Sequence, residues 1–400
     1  MRNYLLFLTV FACIACNKTK NSTTETPVST SSEKDQFLTV DLTKEYPKSE
    51  RICLQDIADV EYIPLETNND FLLHGDVSYL DDSIIIFRNF SSDGDIFIFD
   101  RHGKAKRKIN RKGQSEEEYV ILNSLFYDNE KNELYVNDMM QKKIIVYDME
   151  GHYKRSFHHL QGTQYNCIYL FNDQYLLCYN GSSASFEKEK HPFKIVSKQT
   201  GQLIKELDIP FSKRISTKFY FTENNVSTVV SVYPEPEPAM KAGDEWILNE
   251  VSSDTIYQLS KNLNLTPFMA KTPSVQSMAE NPQYLGFVMD SYHYRFMFIQ
   301  KKDNLKAQPP ISTTVIMYDK KAGKFFEQNF YNADRPDRDF EFGEDCANRI
   351  TGSNQYFYTY SAPQLKKFLD NGKLTGRLKE IAEKINEDDN PVLMIVTFKK

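Results

Sequence analysis

Glycine and tryptophan are scarce in this 400-residue chain, with 15 of the first and a single Trp246, while Phe and Tyr number 28 and 24. That balance points to an aromatic-rich strand protein. Positive charge is not in excess either: the formal net charge is -6, which leaves no electrostatic footprint for nucleic acid. Cysteine is sparse. Beyond Cys13 and Cys16 there are Cys53, Cys167, Cys178 and Cys346, too few in a chain of this size for disulfides to be the scaffold. A GxSxG elbow, an HExxH helix, a Walker loop and a GxGxxG between strand and helix are all missing, and with them the usual signatures of hydrolase, zinc-protease, NTPase and dinucleotide chemistry.

Long apolar runs are lacking too. The stretch Tyr4 to Ala15, after Met1-Arg2-Asn3, is too short for a permanent membrane span and is built like a secretory signal. It ends in Cys13-Ile14-Ala15-Cys16, where a small residue before Cys resembles the lipobox of bacterial lipoproteins. The resemblance implies cleavage and acylation at Cys16. The lipobox usually begins with Leu, here Cys13, so an ordinary cleaved signal or processing at Cys13 is the alternative. From Asn17 to Gln36 the residues "NKTKNSTTETPVSTSSEKDQ" have no apolar periodicity and read as a disordered tether. The basic Asn17-Lys18-Thr19-Lys20, where surface-exported lipoproteins are often acidic, leans toward the periplasmic side of an outer membrane. The expected division is a lipoprotein signal over 1–16, a tether over 17–36 and a folded body over 37–400.

What the body has in abundance is repetition. "IFIFDRHGKAKRKI" (Ile96 to Ile109) and "IIVYDMEGHYKRSF" (Ile144 to Phe157) align without a gap, Asp100 on Asp148, Gly103 on Gly151, Lys106 on Lys154 and Arg107 on Arg155. The first strand of each copy is apolar at nearly every place, so both of its faces must be covered. Asp and Gly at the first and fourth places suit a type I turn. Further copies run from Ile195 to Leu207, from Ile256 to Phe268 with Asn262 in the turn, and from Val315 to Phe330 with Asp319 and Gly323. A strand pair precedes each: Val77 to Arg88, Leu125 to Asp138, Cys167 to Tyr179, Ser227 to Leu248 and Leu285 to Ile299. Four short strands per period of about 50 residues is the pattern of a propeller blade.

Closure calls for a sixth blade. Its strands are expected at Phe340 to Phe342, Gln355 to Tyr360 and Pro391 to Phe398, with Asp59 to Glu66 as the outer strand, so that both termini seal the last edge. The fold class is therefore all-β, a six-bladed β-propeller. A helical insertion is expected between Ser361 and Asn390, where Pro363 suits a first turn, Thr375 a cap, and Leu378, Ile381, Ala382 and Ile385 share one face. The chain resembles the six-bladed β-propeller lipoproteins of Gram-negative gut bacteria, akin to the NHL-repeat propellers. The resemblance rests on "EYIPLET" (Glu61 to Thr67), the turn Phe99 to Lys104, "GQSEEEY" (Gly113 to Tyr119) and "NPVLMIV" (Asn390 to Val396). Where that family has GxGPGEY, Glu118 and Tyr119 match here while the Pro and middle Gly are replaced. Membership implies fold and export, and no reaction.

Propeller geometry places a site on the face that carries the loops between second and third strands and between blades. Candidate ligand-binding residues from the first loops are Arg88, Asn137, Asp138, Tyr179, Asn180 and Glu250, flanked by Asn89 and Asn249; the inter-blade loops add Arg111, Glu118, Tyr119 and His159. Arg beside Tyr and Asn would suit carboxylates or sugar hydroxyls, and for each residue the alternative is a turn or solvated loop. His152 with His158-His159 lacks a carboxylate spaced to complete a metal site. Cys167 and Cys178 read as cross-strand neighbours, with buried thiols preferred over a disulfide because the pair falls at a wide, hydrogen-bonded site. "YPEPEPAMKAGDEW" (Tyr233 to Trp246) is an edge or loop excursion, or an acidic lip. The expected role is a lipid-anchored binding or scaffolding module for a peptide, glycan or protein partner, with no cofactor and no catalytic residue assigned. The alternative is a lactonase- or lyase-like enzyme holding Ca²⁺ through Asn137, Asp138, Asn180 and Glu250.

Overall fold

Strand Asp95–Asp100 shows what the apolar repeat is for. Phe97 and Phe99 pack with Ile63, Leu393 and Ile395 on one side, while Ile96 and Ile98 pack with Leu134, Val136 and Ile145 on the other. Both faces are buried, each large side chain contributing roughly 1.5–3 kcal/mol of transfer free energy, and the strand has to be apolar throughout. The computed structural model describes residues 37–90, 92–181, 187–223, 226–232, 235–278, 281–302, 311–343 and 354–400. Cys16 and the expected signal and tether lie outside the described residues, as do Cys346 and the start of the Pro-Glu run, residues 233–234.

Five sheets repeat the four-strand unit. The first holds Gly75–Leu80, Ile84–Asn89, Asp95–Asp100 and Ala105–Asn110; the second Ser124–Asp128, Glu133–Asp138, Lys143–Asp148 and Tyr153–His158. The third runs from Tyr165–Leu170 and Tyr175–Asn180 to Phe193–Ser197 and Leu203–Glu206. The fourth, Ala239–Ala242, Glu245–Leu248, Thr255–Leu259 and Leu265–Thr272, gains a fifth strand, Leu38–Asp41, paired in parallel on its outer edge. The fifth holds Gln283–Asp290, Tyr294–Lys302, Ile311–Asp319 and Lys324–Glu327. Antiparallel neighbours in sequence order make each a meander, and hydrophobic clusters join one sheet to the next.

The repeated turn is as demanding as its sequence suggests. The Asp100 carboxylate accepts the amides of His102 and Lys104, the Asp148 carboxylate those of Glu150 and His152, and the Asp319 carboxylate those of Lys321 and Ala322. Gly103, Gly151, Gly201 and Gly323 all have positive φ. Packing requires glycine a second time: a Cβ on Gly103 would meet the Pro64 carbonyl oxygen at 2.3 Å, and one on Gly201 the Phe157 ring at 2.5 Å. In the copy with Asn262 the positive φ falls on Leu263 instead.

Closure follows the expected termini but not the expected count. Gln355–Tyr360, Val392–Phe398 and Ala58–Pro64 form an antiparallel sheet, with Ile395 opposite both Phe357 and Glu61. The segment assigned to its inner edge goes elsewhere. Arg335–Phe340 pairs with Phe330–Asn332, which takes Ile52–Cys53 in parallel, making a separate three-stranded sheet. Counting as a blade every sheet of three or more strands, the described chain has seven rather than six. Phe330, Phe340 and Phe342 join the cluster beneath the closing sheet, so the segment meets Tyr356 and Tyr358 through its rings while its backbone pairs with Phe330–Asn332. A second departure lies at Val226–Ser231, which pairs with Lys218–Glu223 in a hairpin of its own and leaves Ala239–Ala242 as the first strand of the fourth sheet.

The insertion is helical, over Ala362–Asp370 and Gly376–Lys384. Pro363 sits in the first turn behind the Ser361 cap, and Leu378, Ile381 and Ala382 are buried against the closing sheet's cluster. Thr375 is the N-cap by position, but its hydroxyl donates to the Ala333 carbonyl instead. Among the described residues no helix is long and apolar enough to cross a membrane.

Candidate functional site

The residues singled out around the loops between second and third strands are largely occupied. Asn89, Asn137, Asn180 and Asn249 close the second strands of four successive sheets, and each is at most 2% exposed. Asn137 Nδ2 donates to the Tyr165 carbonyl at 3.0 Å and Asn249 Nδ2 to the Leu285 carbonyl at 2.7 Å, each time reaching the next sheet. Asn89 and Asn180 accept backbone amides from His74 and Gln164 at 3.0 and 3.1 Å. They are staples for buried backbone groups that would otherwise lose their partners. Asp138 accepts four amides, from Val120, Ile121, Met140 and Gln141. Arg88 lies 3.8 Å from Asp76.

The inter-blade loop is a clasp. Tyr119, fully buried, donates to the Gly94 carbonyl at 2.6 Å and accepts the Arg111 amide at 3.0 Å, and burial pushes its phenol up to about 12. The carbonyls of Glu116 and Glu117 accept the Lys143 ammonium and the Tyr147 hydroxyl at 2.9 and 2.7 Å. Glu118 folds back on the Ser115 amide, which holds its carboxyl below the usual range. His159 is buried between Asn137 and the Tyr165 amide at 3.0 and 3.1 Å, and burial first, then Lys142 and His158, lower it to about 3. His152 bonds Asp148 instead, so the histidines do not converge.

Tyr179 and Glu250 also meet. Tyr179 donates to Glu250 Oε2 at 3.0 Å and accepts Arg214 Nη2 at 2.8 Å, while Arg214 Nε lies 3.7 Å from Glu250 Oε1. Lys271 donates to the Glu250 carbonyl at 2.9 Å. Burial lowers the Lys271 ammonium to about 8 against the upward pull of Glu250 and Asp254. Arg214 and Lys271 were not flagged by sequence, and nothing in their local pattern marks them. This cluster is buried, and it does not suit Ca²⁺, which needs six to eight oxygens: the Asp138 oxygens take amides, Asn180 Nδ2 holds Glu189, and Glu250 faces two cations. Among the described residues no three His, Cys, Asp or Glu side chains come together as a metal site.

Open space lies instead along the inner strands. A cavity of about 400 Å³ is lined by Ser78 to Asp82 of the first sheet, Ser124 to Tyr127 and Asn129 of the second, Cys167 to Leu170 of the third, Lys241 of the fourth and Gln355 of the closing sheet. Its wall includes turns that follow first strands, at the opposite end of the sheets from the Asn staples. Tyr79 and Tyr127 meet edge to face at 4.9 Å, and Tyr169 donates to Glu237 at 2.6 Å, which fixes part of the Pro-Glu run beside the cavity. Burial pushes the Asp81 carboxyl up, but the Ser83 hydroxyl and the Ile84 and Ser83 amides outweigh it and hold it below the usual range. The Ser124 hydroxyl is buried with no hydrogen-bond partner. Cys167 stands opposite Tyr179 and Cys178 opposite Ile168, because the turn holds three residues, Asn172 to Gln174, between Phe171 and Tyr175 instead of two, which shifts the register by one; no disulfide joins them.

Meandering sheets packed face to face around an inner-strand cavity define a β-propeller. Within that class the chain belongs to the DUF4934 family, a domain of unknown function, which matches residues 37–397. No curated protein matches. A Bacteroides fragilis protein described as exported is similar in structure, with a TM-score of 0.62, 15% identity, and coverage of 91% of this chain and 100% of that one. A DUF4221 family member from Bacteroides vulgatus follows at a TM-score of 0.50, 11% identity, and coverage of 86% and 97%. Virginiamycin B lyase from Staphylococcus aureus matches at 0.33, with 11% identity and coverage of 67% and 98%, a likeness too remote to inform function.

Proposed function

We propose that this chain is an exported cell-envelope propeller, anchored through lipidated Cys16, that works as a binding module and takes its ligand in the inner-strand cavity. The observation that carries the reading is the cavity itself: its volume lies within the roughly 300–1,000 Å³ of small-molecule sites, and aromatic, charged and amide side chains share its wall. Export draws support from the B. fragilis relative described as exported. The candidate funnel residues then hold the sheets together and leave recognition to the cavity.

The test is a library of oligosaccharides and short peptides screened by thermal shift against the full chain, followed by Ser78→Trp, which fills the cavity. A ligand whose binding survives the Trp, in a variant with unchanged circular dichroism, would sink the cavity reading. Anchoring is tested separately by clickable palmitate: label should be present on wild type and lost in Cys16→Ala.

A further inference from the structure

Among the polar side chains of the cavity wall, Tyr79, Asp81, Tyr127, Tyr169 and Gln355 are hydrogen-bonded within the protein, and two charged ones are not. Asp82 and Lys241 both line it, and among the described residues neither side chain has a hydrogen bond or an ion pair. The described electrostatic neighbour of Lys241 is Asp244, which is already paired with Lys261 at 2.8 Å. Nearby acids behave otherwise: Asp81 is capped by Ser83 and Ile84, Asp95 pairs with Lys108, and Asp100 with Lys106. Asp82 follows the inner strand of the first sheet and Lys241 lies on that of the fourth, so the two opposite charges reach the cavity from different parts of its wall.

We infer that the cavity recognises a short peptide through its free termini, the ammonium held by Asp82 and the carboxylate by Lys241. This rests on the binding reading above and narrows it. Two unpartnered charges of opposite sign ask for one ligand that carries both. Asn129 offers a polar partner for a peptide bond between them. A neutral glycan would leave both charges unanswered.

Di-, tri- and tetra-alanine, each with free, N-acetylated or C-amidated ends, and cellotetraose as the neutral probe, are titrated calorimetrically into the full chain. At least one free-ended peptide should bind, and blocking either end should weaken it by roughly tenfold or more, the loss of one charge-assisted contact. Asp82→Asn should erase the difference between free and acetylated forms alone, and Lys241→Gln that between free and amidated forms alone. Equal binding of blocked and free peptides, no binding of any peptide, or binding of cellotetraose alone overturns the inference. If the ligand that does bind is still lost in Ser78→Trp, the cavity reading stands; if it is not, both fall.

Discussion

At one end of the sheets Asn89, Asn137, Asn180 and Asn249 close second strands, buried and bonded to backbone; toward the other, Asp82 and Lys241 line a cavity with no side-chain partner among the described residues. Both sets are polar and both sit near loops. The difference is satisfaction. A buried polar group with its bonds made stabilises the fold, and one facing a cavity with bonds unmade is available to a ligand. Mutations at the two ends should therefore separate stability from recognition.

The largest effect is expected where paired charges are most deeply buried. Glu250→Ala leaves Arg214 and the Tyr179 hydroxyl without their carboxylate, while Lys271 keeps the backbone carbonyl, and should cost about 3–5 kcal/mol, read as a lower urea midpoint at pH 7. A loss below about 1 kcal/mol would place this cluster with exposed ion pairs and undo the contrast.

Acid should act next, through His159. Its folded pKa of about 3 lies under the ordinary 6.5, so the imidazole is neutral in the fold and charges on unfolding. Its stabilisation is complete above about pH 6.5 and falls away as pH drops toward 3. Between pH 7 and pH 5 the loss should be on the order of 2 kcal/mol. His159→Gln, which removes the titration, should flatten the wild-type slope over that window; an unchanged slope would mean the ring is not held neutral between Asn137 and Tyr165.

Much of the fold is legible in the sequence because each blade repeats the same local demands. Asp100 and Gly103 recur with the same turn, and apolar strands recur because each is covered twice. Recurrence also explains why these staples read as a site. Asn89, Asn137, Asn180 and Asn249 repeat in register as Asp100 and Asp148 do, and for the same architectural reason, a buried backbone group that must be met in every blade. The seventh sheet left no such mark: residues 330–340 lack the repeated turn, and pairing of Ile52–Cys53 with Phe330–Asn332 joins residues far apart in sequence. The cavity was hidden for a related reason, since Ser124, Cys167 and Lys241 meet only after the ring is formed.

The smallest stability effect is expected at the cavity, and its smallness sharpens the comparison most. Asp82 is exposed and bonded to nothing described, so Asp82→Asn should move the urea midpoint by no more than the roughly 0.5 kcal/mol typical of surface changes. A neutral Asn cannot answer an ammonium, so the same variant should lose preference for a free amino terminus. Stability lost at Glu250 with recognition intact, and recognition lost at Asp82 with stability intact, would show that the two ends do different work. A stability cost at Asp82 comparable to that at Glu250 would instead place its carboxylate among the staples, and leave the cavity without its anion.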